Sequence, residues 1–132
     1  HLQIQKKRQE EYPDYMPEVR ISHAFEFEDF SFHVEGRMDG MIPGDEPWIE
    51  EIKSSFNVHE LRKMIQERWD HHPYILQLQT YGYMHWRETG EEPKLSLHLV
   101  SSRNGESYDW EVNFNPAAYE KWLSRRLKEL VE

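Results

Sequence analysis

The sequence predicts an α+β fold in the order α-βββ-αα-ββ-α, with a central mixed sheet flanked by helices. Three observations predict it. Residues 18–28 and 30–39 alternate apolar with polar side chains, the period of a half-buried strand. From residue 57 to 88 the apolar positions fall instead at helical spacing. Alternation then returns over residues 95–114, and a last apolar stripe at helical spacing follows Pro116.

Each element has a local reason. Residues 1–11 read as a polar helix, with Leu2 and Ile4 followed by Lys6, Lys7, Arg8, Glu10 and Glu11, and Tyr12-Pro13-Asp14 breaks it. Val19, Ile21, Phe25 and Phe27 share one face of the first strand. After the Glu28-Asp29 turn, Phe30, Phe32, Val34 and Met38 face inward on the second, opposite His33, Glu35, Arg37 and Asp39. A Gly/Pro/Asp-rich turn over 40–47 leads to a third strand at 48–55, completing an antiparallel meander. Asn57 is the expected cap of a helix over 57–69 with Val58, Leu61, Met64, Ile65 and Trp69 on its apolar side. Pro73 opens a second helix to residue 88, closed by Gly90 and Pro93. Leu95, Leu97 and Leu99 make a fourth strand, Asn104-Gly105 a hairpin, and Tyr108, Trp110, Val112 and Phe114 a fifth. Asn115-Pro116 starts the last helix, striped by Tyr119, Trp122, Leu123, Leu127 and Leu130. The tryptophans read as core, with Trp86 at a rim.

The 132 residues fit a single domain, 1–132, and the start at His1 rather than Met suggests a piece of a longer protein. The chain has no cysteine, which excludes disulfides and thiolate-bound zinc or iron–sulfur clusters and suits a reducing, cytoplasmic setting. No apolar run reaches transmembrane length. The net charge of −9, from 25 acidic and 16 basic residues, argues against simple phosphate binding. A local basic patch or a bound divalent cation reverses that sign locally.

The chemistry is concentrated in Gly36-Arg37-Met38-Asp39-Gly40 and Trp48-Ile49-Glu50-Glu51-Ile52-Lys53. Residues two apart on a strand share a face, so Glu51 and Lys53 project together, and Asp39 joins them if the two strands pair. Two carboxylates with a lysine are a minimal set for holding a hard divalent cation and activating a water. Trp48, Ile49 and Ile52 make this strand apolar on both faces, so Glu51 and Lys53 should be partly buried and in need of a partner. Glu50 points the other way by alternation and reads as a surface residue. Gln77 and Tyr81 lie one helical turn apart on one face.

This order and these motifs resemble the PD-(D/E)XK nuclease superfamily, in particular its RecB-like exonuclease branch. The matching residues are Asp39 ending the second strand, Glu51-Ile52-Lys53 on the third, and Gln77-Leu-Gln-Thr-Tyr81 on the following long helix. The resemblance covers nearly the whole chain. It implies a restriction-endonuclease-like core and a divalent-metal-dependent DNA nuclease, exonucleolytic in mode, in DNA repair, recombination or CRISPR-type processing. Asp39, Glu51 and the Ile52 carbonyl would bind Mg²⁺ or Mn²⁺, Lys53 would orient the water or stabilise the developing charge, and Gln77 and Tyr81 would contact DNA or the surroundings of the metal. The implied partners are single-stranded DNA or DNA ends and a fused or associated helicase. The branch also places a metal-binding histidine on the first helix. His1 is the candidate, although a tag remnant would begin the same way, and Glu10, Glu11 and Glu18 are the alternatives.

The same residues have plainer readings. Asp39 before Gly40 is also a turn pair, Glu51 and Lys53 also a surface ion pair, and Tyr81 also a core residue. His71-His72 cannot face one way together and read as a helix-end pair acting on the dipole rather than a zinc site. Lys6-Lys7-Arg8 and Arg125-Arg126-Lys128 read as solvated helix faces. The alternative function is a catalytically silent nucleic-acid- or partner-binding domain of the same fold.

Overall fold

The computed structural model describes residues 1–69 and 71–132. Its elements are α1 (Leu2–Glu11), β1 (Met16–Phe27), β2 (Phe30–Ile42), β3 (Trp48–Ser55), α2 (Val58–Glu67), α3 (Pro73–Thr89), β4 (Lys94–Ser101), β5 (Ser107–Val112) and α4 (Pro116–Val131). The five strands form one open sheet in the order β1-β2-β3-β4-β5. All neighbours are antiparallel except β3 and β4, which run parallel because the α2–α3 pair carries the chain back across the sheet. This is the α+β arrangement expected from sequence, compatible with a restriction-endonuclease-like core.

The helix boundaries follow the capping chemistry. Asn57 Oδ1 accepts the Glu60 N–H at 3.1 Å and Asn115 Oδ1 accepts the Ala118 N–H at 3.2 Å. His72 caps α3 in the same manner, its Nδ1 accepting the Tyr74 N–H at 3.1 Å. Its role is thus specific, where the sequence suggests only a dipole contact for the His71-His72 pair. Gly90 ends α3 in the left-handed region, φ 79°.

One apolar core lies between the sheet and α2–α4. Ile49, Leu95, Leu97 and Leu99 from the sheet meet Val58, Ile65, Leu78 and Met84 from the helices, all buried. Some side chains expected inside are not. Phe30, Met64 and Leu130 are exposed, because they sit at the hairpin tip, on the outer flank of α2 and in the last turn of α4. All five tryptophans are half-buried rather than fully enclosed: Trp69, Trp86, Trp110 and Trp122 pack against the edges of this core, and Trp48 packs against Tyr12, Tyr15 and Arg8 near α1. Trp69 meets Trp110 edge-on at 5.4 Å in this way.

Two features of β2 shape the surroundings of Asp39. The strand pairs with β3 only from Gly40 to Ile42, so the two strands part beyond Glu50. Met38 and Met41, three residues apart, both enter the same core, so the period-two alternation slips by one residue at Asp39-Gly40. Glu18 faces this slip across the β1–β2 ladder, between the pairs Pro17–Gly40 and Val19–Met38, and holds a left-handed φ of 52°. Backbone strain in a non-glycine residue persists only where its surroundings hold it.

The candidate site and its two faces

The slip in β2 turns the Asp39 carboxylate sideways into the gap between the parting strands. There its Oδ2 accepts the backbone N–H of Ile52 at 2.7 Å, replacing the ladder bond that β2 no longer supplies. Glu51, the neighbour of Ile52, is only 2% exposed. Its Oε1 is buried without a hydrogen-bond partner among the described residues. Burial first, and then the Asp39 carboxyl beside it, push the Glu51 carboxyl up to about 9, with Lys53 acting weakly against them. Lys53 is half-buried, its Nζ lying 4.8 Å from the centre of the Tyr74 ring. The structure therefore brings Asp39, Glu51 and Lys53 together where β2 and β3 part.

Gln77 and Tyr81 support this place from α3. Gln77 Nε2 donates to Tyr81 Oη at 3.2 Å. The Tyr81 ring lies over Gly36, where a Cβ would come within 2.5 Å of its Cε1, so only glycine admits the ring. Tyr81 is buried, so this pair fixes the course of β2 into the site. His1 precedes α1 and is exposed. Its backbone carbonyl accepts the Gln5 N–H at 2.9 Å, which puts it one turn before Gln5.

The opposite face of β3 corrects the reading of Glu50. It is fully buried, not a surface residue. The rule that buries Glu51 applies to it equally: β3 is covered on both sides. Its cover is α1, a helix with almost no apolar stripe that is held by polar side chains. Arg8 NH2 lies 3.0 Å from Glu50 Oε2 and 3.0 Å from Asp109 Oδ1, while Tyr15 Oη donates to Glu50 Oε1 at 2.8 Å. His98 Nδ1 is 2.7 Å from Asp109 and 3.5 Å from Arg8 NH2. Burial works against the Arg8 charge, but Glu50 and Asp109 outweigh it and hold Arg8 above its ordinary value. Arg8 is therefore not part of a solvated helix face, unlike Arg126 and Lys128, which pair with Glu129 and Glu132 on the surface of α4.

Glu50, His98 and Asp109 offer ligand atoms within 4.8 Å of one another, enough in principle to hold a metal ion. The Arg8 guanidinium already stands among them, so an ion would have to displace a buried cation. Glu51 has the opposite character: a buried carboxyl oxygen with no hydrogen-bond partner among the described residues. The donor set at Asp39, Glu51 and the Ile52 carbonyl is all oxygen, the kind a hard divalent cation takes, and the orphaned Glu51 oxygen fits such a guest.

Gln5 joins the two faces. Its side chain is buried, and its Nε2 donates to the Asp39 carbonyl at 2.8 Å. Sequence reasoning does not single out Gln5 or Tyr15, and it reads Arg8 only as part of a solvated helix face. The available signal is negative: a helix without an apolar stripe must be held by something else.

No family model matches the chain, and no curated protein matches it. Two solved structures are similar to it in fold. One is the crystal structure of SSO0001, 18% identical, with a TM-score of 0.64, covering 99% of this chain and 55% of that one. The other is described as a "Putative exonuclease" from Eubacterium rectale, 13% identical, with a TM-score of 0.65, covering 98% of this chain and 50% of that one. The chain thus spans about half the length of each, and at these identities the likeness is one of fold. No helix among the described residues is long and apolar enough to cross a membrane.

Proposed function

We propose that this domain is a divalent-metal-dependent DNA nuclease of the RecB-like type, hydrolysing phosphodiester bonds. The observation that carries the reading is Glu51: buried, unpartnered at one oxygen among the described residues, and set against Asp39 at the point where β2 and β3 part. Buried carboxylates without partners are costly, and a site that keeps two together has a use for their charge. Asp39, Glu51 and the Ile52 carbonyl would hold Mg²⁺ or Mn²⁺, with His1 as a further ligand. Such an ion supplies a nucleophilic water and polarises the phosphoryl oxygen. Lys53 stabilises the charge that builds on the phosphate, and its contact with Tyr74 limits where its ammonium can reach. Gln77 and Tyr81 hold β2 in register with the site and border the path of the DNA backbone.

The fold likeness to a protein described as a "Putative exonuclease" agrees with this reading. Action on DNA ends or single strands, in repair, recombination or CRISPR-type processing, is part of the proposal. A fused or associated helicase and a cytoplasmic setting belong to the same proposal. The test is cleavage of labelled single- and double-stranded DNA with Mg²⁺ or Mn²⁺. Asp39→Ala, Glu51→Ala and Lys53→Ala should each abolish it in a folded protein, and His1→Ala should weaken it. A wild-type protein that cuts no DNA with either ion would refute it.

The charge of −9 favours a second reading, a catalytically silent binding domain of this fold. That reading expects DNA or protein binding indifferent to Asp39 and Glu51.

A further inference from the structure

Arg20 and Arg37 are directly opposed in the β1–β2 ladder. Their neighbours Val19, Ile21 and Met38 pack against the core, and Gly36 faces Tyr81, so both arginines project from the other face of the hairpin. Both are exposed, and neither forms an ion pair or a side-chain hydrogen bond among the described residues. Like charges directly opposite each other destabilise a strand pair. The chain is rich in acidic side chains, yet none among the described residues pairs with these two facing arginines. Together with Ile21, Ser22, Glu35 and Gly36 they line a shallow hollow of about 510 Å³. The one acid there, Glu35, is engaged with His33 at 3.0 Å. Arg37 is two residues from Asp39 along β2, a step of about 7 Å.

We propose that Arg20 and Arg37 form a phosphate-binding pair that grips the backbone of a single DNA strand along the outer face of the β1–β2 hairpin. This rests on the nuclease reading and extends it to how substrate is held. Two guanidiniums on one face offer paired donors to phosphate oxygens, and a bound phosphate relieves their mutual repulsion. The pair also bears on the objection from net charge, because a basic contact can be local in an acidic chain.

The test uses a labelled single-stranded DNA oligonucleotide, bound without divalent metal and followed by fluorescence anisotropy across a salt series. Arg20→Ala and Arg37→Ala should each weaken binding, and the double variant should weaken it about tenfold or more. Each substitution should reduce the slope of log K against log salt by about 0.7. Both single variants of the free protein should melt no lower than wild type, because a repulsion is removed. Wild-type hydrolysis of bis(p-nitrophenyl) phosphate, a diester with no flanking strand, with Mn²⁺ reads the cation site separately from strand binding. Oligonucleotide affinity and salt slope equal to wild type in the double variant overturn the proposal. If the small diester is still hydrolysed in that case, the nuclease reading stands without it. If the arginines govern binding but wild type hydrolyses neither substrate, the pair stands and the nuclease reading falls.

Discussion

The carboxylate of Asp39 accepts the backbone N–H of Ile52 at 2.7 Å, closing the gap where β2 leaves β3. Asp39 thus has a structural task separable from any metal. Asp39→Ala leaves an amide without its partner and should cost about 1–3 kcal/mol in urea unfolding. Asp39→Asn keeps an oxygen acceptor and should recover most of that stability, yet recover no affinity for Mn²⁺. An Asp39→Ala variant as stable as the wild type would show that the contact contributes nothing to the fold.

Glu51 gives the metal-free protein a pH dependence of definite sign. The folded state keeps this proton up to about 9, whereas the unfolded chain releases it near 4.5. Between those values the unfolded state binds fewer protons, so stability falls as pH rises. His72 and His85, both held below their ordinary value by burial, act in the opposite direction below neutrality. Comparison with Glu51→Gln cancels their contribution. The wild type should lose a few kcal/mol relative to that variant between pH 5 and pH 9, at about 1.4 kcal/mol per pH unit at the steepest. A difference that stays flat with pH would mean that Glu51 is ionised throughout.

Gly36 has no room for a side chain beneath Tyr81. Gly36→Ala should destabilise the fold by about 1–3 kcal/mol through overpacking. Adding Tyr81→Leu should restore part of it, because the ring that clashes is gone. If Gly36→Ala alone is neutral, Tyr81 does not hold β2 in the way described.

Arg8 and Glu50 should behave as a buried pair. Removing either alone leaves an unanswered charge and should cost about 3–5 kcal/mol, whereas Arg8→Met with Glu50→Gln together should cost much less. Chemical denaturation of the three proteins gives the coupling directly. Additive losses would show that the pair is not coupled.

Much of this fold is legible in the sequence because its signals are local. Alternation writes the strands, and Asn57, Asn115, Pro73 and Pro116 write the helix starts. The Asp39, Glu51 and Lys53 set is legible because strand parity and an apolar strand constrain it. Glu50 is misread because parity tells which face a residue takes, not whether that face is covered. The cover is α1, whose attachment through Gln5 and Arg8 depends on long polar side chains that leave no hydrophobic period. The slip at Asp39-Gly40 is likewise hidden, since it depends on Glu18 taking a left-handed conformation across the ladder. Tyr81 and Gly36 are each visible, but their contact joins elements far apart in sequence.

The most direct measurement is calorimetric titration of the folded protein with Mn²⁺ at pH 7, repeated in buffers of different ionisation enthalpy. Binding should release roughly one proton per ion, since Glu51 must give up its proton to ligate. Glu51→Gln and Asp39→Asn should each abolish or sharply weaken the binding, and Glu50→Gln should leave the Asp39–Glu51 ion in place. Absence of Mn²⁺ binding, or binding that survives loss of both Asp39 and Glu51, would contradict the claim that these two carboxylates form a cation site.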